Sequence, residues 1–230
     1  MTLPTSTPTV AGGRPAARPV QAVVFDLDGV LVDSSAVMRE AFDIAYAEVV
    51  GDGPAPFEEY NRHMGRYFPD IMRLMGLPLE MEEPFVRESY RLAPQVPLFP
   101  GVRELLHGLH GRGVRMAIAT GKSGPRARSL LELLGVLHLF GHVIGSDEVP
   151  RPKPAPDIVL HALDLLGVPA ERALMVGDAV IDLASGRDAG TTTVATTWHE
   201  GDCAALLAAG PDFVARTPRE LLTYCLAVEV

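Results

Sequence analysis

From Val102 onward, helical and extended patterns alternate without a break, and this alternation restricts the fold more than any other feature of the chain. Helical spacing marks Val102–His110, Arg126–Leu134, Pro156–Leu166, Ile181–Ala189, Ala204–Ala209 and Pro218–Leu226. Between them lie short β-branched or apolar runs at Val114–Ala119, His142–Gly145, Ala173–Val176, Thr191–Thr196 and Phe213–Ala215. Strands separated by single helices need right-handed crossovers, so the expectation is an α/β fold: a parallel sheet with helices on both faces.

A further strand, Gln21–Leu27, precedes this series and is closed by Asp28-Gly29. The stretch that follows it breaks the alternation. Ser34–Val50 has helical spacing, with Ser34 placed to cap it. Shorter helical pieces fall at Phe57–His63, Pro69–Met75 and Glu80–Leu92, and three prolines within Ala93–Pro100 mark a linker. Residues 34–97 therefore read as an inserted helical domain, and 20–33 with 98–230 as the core. Residues 1–19, rich in Thr, Pro, Ala and Gly, read as a mobile tail without the apolar stretch of a secretory signal.

A net charge of −9 argues against a nucleic-acid binder, which would carry a basic face. No apolar run reaches the roughly 18–20 residues of a membrane span. Cys203 and Cys225 show neither metal-site nor disulfide spacing, in keeping with reduced thiols in the cytoplasm. Lys122 and Lys153 are the only lysines, so chemistry that needs an ammonium has two candidates.

Acids tip two strands. Asp26 and Asp28 end the first, and alternate strand residues face one side, so both carboxylates can look into one site. Ligands of open α/β sheets bind at that carboxyl end. Acids adjoining so apolar a run need a partner, because burying unpaired charge is unfavourable. Asp178 ends the strand Ala173–Val176 after Gly177, and Asp182 follows in the next helix. Helix capping would account for Asp178 and Asp182 singly; two acid-tipped strands in one chain point instead to a hard cation such as Mg²⁺, held by Asp26, Asp178 and the Asp28 carbonyl. Thr120, with the amides of Gly121 and Lys122, stands between a strand and a helix, where phosphate binds readily or where a plain N-cap would sit. Lys153 lies in a proline-rich loop, Arg151–Pro156, which either aims it at an anion or leaves it in solvent.

The order D-x-D, Thr, Lys, G-D-x-x-x-D resembles the haloacid dehalogenase superfamily across Val20–Val230. That resemblance implies a Rossmann-like core with a small helical cap. It also implies phosphoryl transfer from a small phosphorylated substrate, with Mg²⁺ as cofactor. In it, Asp26 is the nucleophile, Asp28 the general acid and base, and Thr120 and Lys153 the phosphoryl contacts, joined by Gly121 and Lys122. Asp26, Asp28 and Asp178 hold the metal, Lys153 also neutralises charge on Asp26, and Asp182 orients a metal-bound water or Lys153. Asp28 separates the chain from true dehalogenases, which lack that acid. No lysine lies in Ser34–Pro97, against phosphonatase chemistry. Met38 stands where β-phosphoglucomutases place a histidine, which disfavours a mutase. A catalytically silent binding protein and a receiver-like domain are the other readings. A narrower likeness, carried by DLDGVLVDS, YRLA, ATGKSGPRARSLLELLG and GSDEVPRPKPAPDI, is to phosphatases of 3-amino-5-hydroxybenzoate synthesis in ansamycin pathways. It implies an amino-sugar phosphate or nucleotide-linked sugar, with phosphoglycolate as the simpler alternative. Gly121 departs from the Asn common in relatives. Gly65, Arg66 and Tyr67, between two insert helices, are the expected specificity loop, and Gly29–Ser34 with Ala93–Phe99 the hinges. The chain is expected as a monomer or a homodimer.

Overall fold

The computed structural model describes residues 19–199 and 203–227; Pro19 apart, the expected tail lies outside them. Six strands form one sheet: β1 (Ala22–Phe25), β2 (Arg115–Thr120), β3 (His142–Gly145), β4 (Ala173–Gly177), β5 (Thr192–Thr196) and β6 (Phe213–Ala215). All pairings are parallel and the order is β3-β2-β1-β4-β5-β6. The chain thus runs outward from β1 in one direction, then returns to its other side. The crevice where ligands bind such sheets lies at that reversal, between β1 and β4.

Pleating explains why β1 is apolar at every position. Val23 and Phe25 join one buried cluster, with Met116, Ile118, Leu174 and Val176. Ala22 and Val24 join the opposite one, with Ala117, Ala119 and Met175. A central parallel strand covered on both faces has no polar side to display. The second cluster is closed by α7 (Asp157–Leu166), the first by α5 (Val102–His110) and α10 (Pro218–Leu226).

Between β1 and α5 lie four helices: α1 (Ser35–Val49), α2 (Phe57–Asn61), α3 (Phe68–Met75) and α4 (Glu82–Leu92). Val37, Met38, Ala41, Phe42 and Ala45 form the buried stripe of α1, at the spacing a 3.6-residue repeat requires. Their interior is aromatic. Phe42 stacks on Tyr60 with ring centroids 4.6 Å apart, and Phe68 on Phe85 at 4.1 Å. The two chain segments that enter and leave this helical layer bond to each other. Asp33 N–H donates to Pro97 O at 3.0 Å and Phe99 N–H to Leu31 O at 3.0 Å.

The remaining helices are α6 (Gly124–Leu133), α8 (Val180–Asp188) and α9 (Ala204–Ala208). Helix α6 starts two residues before the expected Arg126, because Pro125 is well tolerated in a first turn that needs no N–H. The expected helix at Glu80–Leu92 divides into a 3₁₀ turn, Leu79–Met81, and α4.

Candidate active site

β1 ends at Phe25, in register with Ile118 of β2 and Val176 of β4. The next residue, Asp26, is held by its N–H bond to Val176 O at 2.9 Å, and its carboxylate is almost wholly buried. Lys153 reaches the same place from the loop between β3 and α7. Its ammonium donates to Asp26 Oδ1 at 2.8 Å, Asp182 Oδ1 at 2.6 Å and the Ala119 carbonyl at 3.0 Å. All three donor positions of the lysine are used, so it is fixed rather than merely close.

Asp178 follows β4 directly. Carboxylate oxygens of Asp26, Asp178 and Asp182 lie within 4.8 Å of one another. Gly29, at φ +80°, makes room for this: a Cβ there would stand 2.0 Å from Asp178 Oδ2. One lysine faces three acids, and the imbalance shows in the protonation of Asp26 and Asp178. Burial, together with Asp182 and Asp28, outweighs Lys153 and pushes the Asp26 carboxyl up to about 7. Burial and the charges of Asp182 and Asp26 hold Asp178 well above the usual carboxylate range. Burial alone would lower the Lys153 ammonium, but Asp182 and Asp26 raise it instead. A buried, oxygen-only, undercompensated donor set suits a hard divalent cation. Asp182 is the least free of the three to bind one. Its Oδ1 accepts from Lys153 and its Oδ2 from Ala179 N–H at 3.0 Å. Ala179, not Asp178, occupies the N-cap position of α8.

Asp28 has a separate environment. Lys122 Nζ is 3.2 Å from its Oδ2, and the Ser34 hydroxyl donates to its Oδ1 at 2.6 Å. Burial favours protonation here, yet Lys122 and Ser34 outweigh it and hold the carboxyl below its ordinary value. Ser34 precedes α1 as expected but makes no capping bond; its hydroxyl serves Asp28 instead. Thr120 closes β2, and its Oγ1 accepts the Lys122 N–H at 3.2 Å, turning the backbone toward the site. Ser123 holds the N-cap position of α6 without a side-chain cap bond.

A cleft connects these residues to the helical layer; its wall includes Asp26, Asp28, Thr120, Gly121, Lys122, Gly65 and Arg66. Tyr67 is not among its lining residues and holds the N-cap position before α3. The same wall contains Arg126 and Tyr60, which sequence reasoning passed over. A signal for Arg126 was present: a cation in a first helical turn opposes the helix dipole and needs another reason to be there. Trp198 packs near the site, donating from Nε1 to Val30 O at 2.9 Å, and His199 Nε2 lies 3.8 Å from Asp178 Oδ2. His63 is half-buried in the turn before Gly65.

Residues 20–190 match the haloacid dehalogenase-like hydrolase family. The chain is 34% identical over 221 residues to a probable phosphatase IndB of Dickeya dadantii, covering 87% of this chain and 91% of that one. It is 31% identical to a phosphoglycolate phosphatase of Pseudomonas savastanoi, covering 90% and 80%. A solved haloacid dehalogenase-like hydrolase from Streptococcus pneumoniae superposes with a TM-score of 0.77 at 28% identity, over 89% of this chain and 98% of that one. Family, sheet order and acid-tipped strands agree: the chain belongs to the haloacid dehalogenase-like hydrolases.

Proposed function

We propose that the protein is a phosphatase that hydrolyses a small phosphate monoester through an aspartyl-phosphate on Asp26. The observation that carries this reading is the pair of hydrogen bonds from Lys153 to Asp26 and Asp182, two of three clustered acids. It fixes a carboxylate with one oxygen held and the other available for attack. Asp26, Asp178 and the Asp28 carbonyl would hold Mg²⁺, with Asp182 orienting Lys153. Bound there, the cation would neutralise charge on the phosphoryl oxygens and on Asp26, the requirement that dominates phosphoryl transfer.

The steps balance with the residues present. Asp26 forms a bond to phosphorus as the ester P–O bond breaks, while Asp28 gives its proton to the leaving oxygen. Asp28, now ionised, takes a proton from water, which attacks the aspartyl-phosphate, releases inorganic phosphate and restores Asp26. Lys122 explains how Asp28 serves both steps. Paired with Lys122, Asp28 is ionised and ready as a base. A phosphate dianion that draws Lys122 away removes this stabilisation and lets Asp28 carry a proton. The Thr120 hydroxyl, the Gly121 amide and the Lys122 ammonium would hold the phosphoryl oxygens, with the Lys122 N–H orienting Thr120 Oγ1.

Residues 34–97 act in this reading as a cap, and the bonded pair of segments around Asp33 and Pro97 as its hinge. Gly65 and Arg66 supply specificity from it; for Tyr67 only proximity to that loop speaks. Candidate substrates are phosphoglycolate, an amino-sugar phosphate or a nucleotide-linked sugar. The names of the relatives favour a small organic phosphate, while a role in antibiotic assembly rests on sequence likeness alone. A mutase is less well supported, since Met38 and the lysine-free insert offer neither of that chemistry's expected groups. The test is release of inorganic phosphate from p-nitrophenyl phosphate, with and without Mg²⁺. Asp26→Asn is expected to reduce turnover by at least about a thousandfold, as loss of a nucleophile does. Turnover at the parental rate would refute the mechanism.

A further inference from the structure

Arg126 is a buried cation without an acid. The residue is 7% exposed, and among the described residues no carboxylate comes within ion-pair distance of it. Its Nη2 donates to Ser89 Oγ at 2.9 Å, and the guanidinium lies over the Phe85 ring, 5.1 Å from its centroid. Its Nε is buried with no hydrogen-bond partner. A guanidinium stays protonated even where burial lowers its affinity for the proton, so the charge has to be met by something.

Position makes the missing partner specific. Arg126 lines the same cleft as Asp26 and Thr120. Each acid on that wall already has a lysine: Asp26 has Lys153 and Asp28 has Lys122. The wall's two guanidiniums, Arg66 and Arg126, form no ion pair among the described residues. The two acids of this wall each have a lysine beside them, and the arginines carry the positive charge that no acid of the wall meets.

We propose that Arg126 is a specificity residue that binds a second anionic group of the substrate, a carboxylate or a second phosphate, while the scissile phosphate sits at Asp26. This rests on the phosphatase reading and narrows its substrates to esters with an anionic tail. Bonding to Ser89 and stacking on Phe85 orient the guanidinium, leaving Nε and further N–H groups for the planar, two-point contact that arginine makes with such anions.

The test compares 2-phosphoglycolate and ethylene glycol bisphosphate with ethyl phosphate, an ester of similar size and no tail charge. Wild type is expected to favour the charged esters in kcat/KM. In Arg126→Gln that preference falls by about 10–150-fold, the range for a hydrogen bond to a charged group, and Arg126→Lys retains part of it. Which charged ester loses more identifies the tail as carboxylate or phosphate. A residue that only pins the helices together would slow all three esters in parallel and leave the ratio unchanged. That result, or a wild type indifferent to tail charge, overturns the proposal. If no ester is turned over, p-nitrophenyl phosphate included, the phosphatase reading fails separately. Calorimetric binding of 2-phosphoglycolate then decides: weakened by Arg126→Gln it supports the subsite, and unchanged it overturns it.

Discussion

Asp26 combines burial with like-charged neighbours, and this fixes a pH signature. Its carboxyl is raised from 3.8 to about 7 in the folded protein, with burial the leading cause. A raised carboxyl binds its proton more tightly folded than unfolded, so its contribution to stability is complete below about pH 4 and is lost as pH rises through about 7. Asp178 is shifted in the same direction. In EDTA the melting temperature is therefore expected to fall by several degrees between about pH 5 and pH 8, and millimolar Mg²⁺ to restore most of the loss at the upper end. A flat profile in EDTA, or no response to Mg²⁺, would show that the cluster is not under charge stress. Cys225 carries no such role: burial pushes its thiol up to about 12. At this scale the sequence displayed Asp26, Asp28, Asp178, Lys153 and Thr120 as motif residues. It displayed Arg126 only as a cation in a first helical turn, and the meaning of that cation depends on which acids are already paired.

Among the elements, the helical layer owes its interior to aromatic rings from separate helices. Phe85 of α4 stacks on Phe68 of α3, meets Tyr60 of α2 with centroids 6.0 Å apart, and supports the Arg126 guanidinium. Phe85→Ala is expected to lower the unfolding free energy by about 3–5 kcal/mol, measured by urea denaturation, because the rings around it cannot close the gap. A loss below about 1 kcal/mol would mean that α4 can collapse onto α1. Helix positions were legible from apolar spacing, and the bounds of α5, β3, β6 and α10 agree with expectation residue for residue. The misses came at ends: the start of α6 was hidden by a proline that belongs to its first turn, and a 3₁₀ turn was merged into α4.

For the whole molecule the decisive contact is between the core and the loop before α3. A Cβ on Gly121 would stand 2.3 Å from Gly65 O and 2.8 Å from Arg66 O, both backbone atoms that cannot rotate aside. A glycine at this position thus has a physical reason: the loop lies directly on it. Gly121→Ala is expected to push that loop away from the phosphoryl site and reduce kcat/KM for a small ester by about tenfold or more, since misplacements near 1 Å have effects of that order. Hydrogen exchange in residues 62–67 should quicken while the melting temperature changes little. Parental kinetics would mean that the loop plays no part in turnover.

The sequence by itself determined the parallel α/β class, the interruption by helices and the identity of the acid-tipped strands. These follow from local periodicity and from residue types at strand ends, which neighbouring residues in the chain dictate. Only the tertiary structure decided that Lys153 answers Asp26 and Asp182, that Lys122 and Ser34 answer Asp28, and that Arg126 has no acid to answer. Partnership between charges depends on distances across 29 to 127 residues of chain, and no periodicity encodes those.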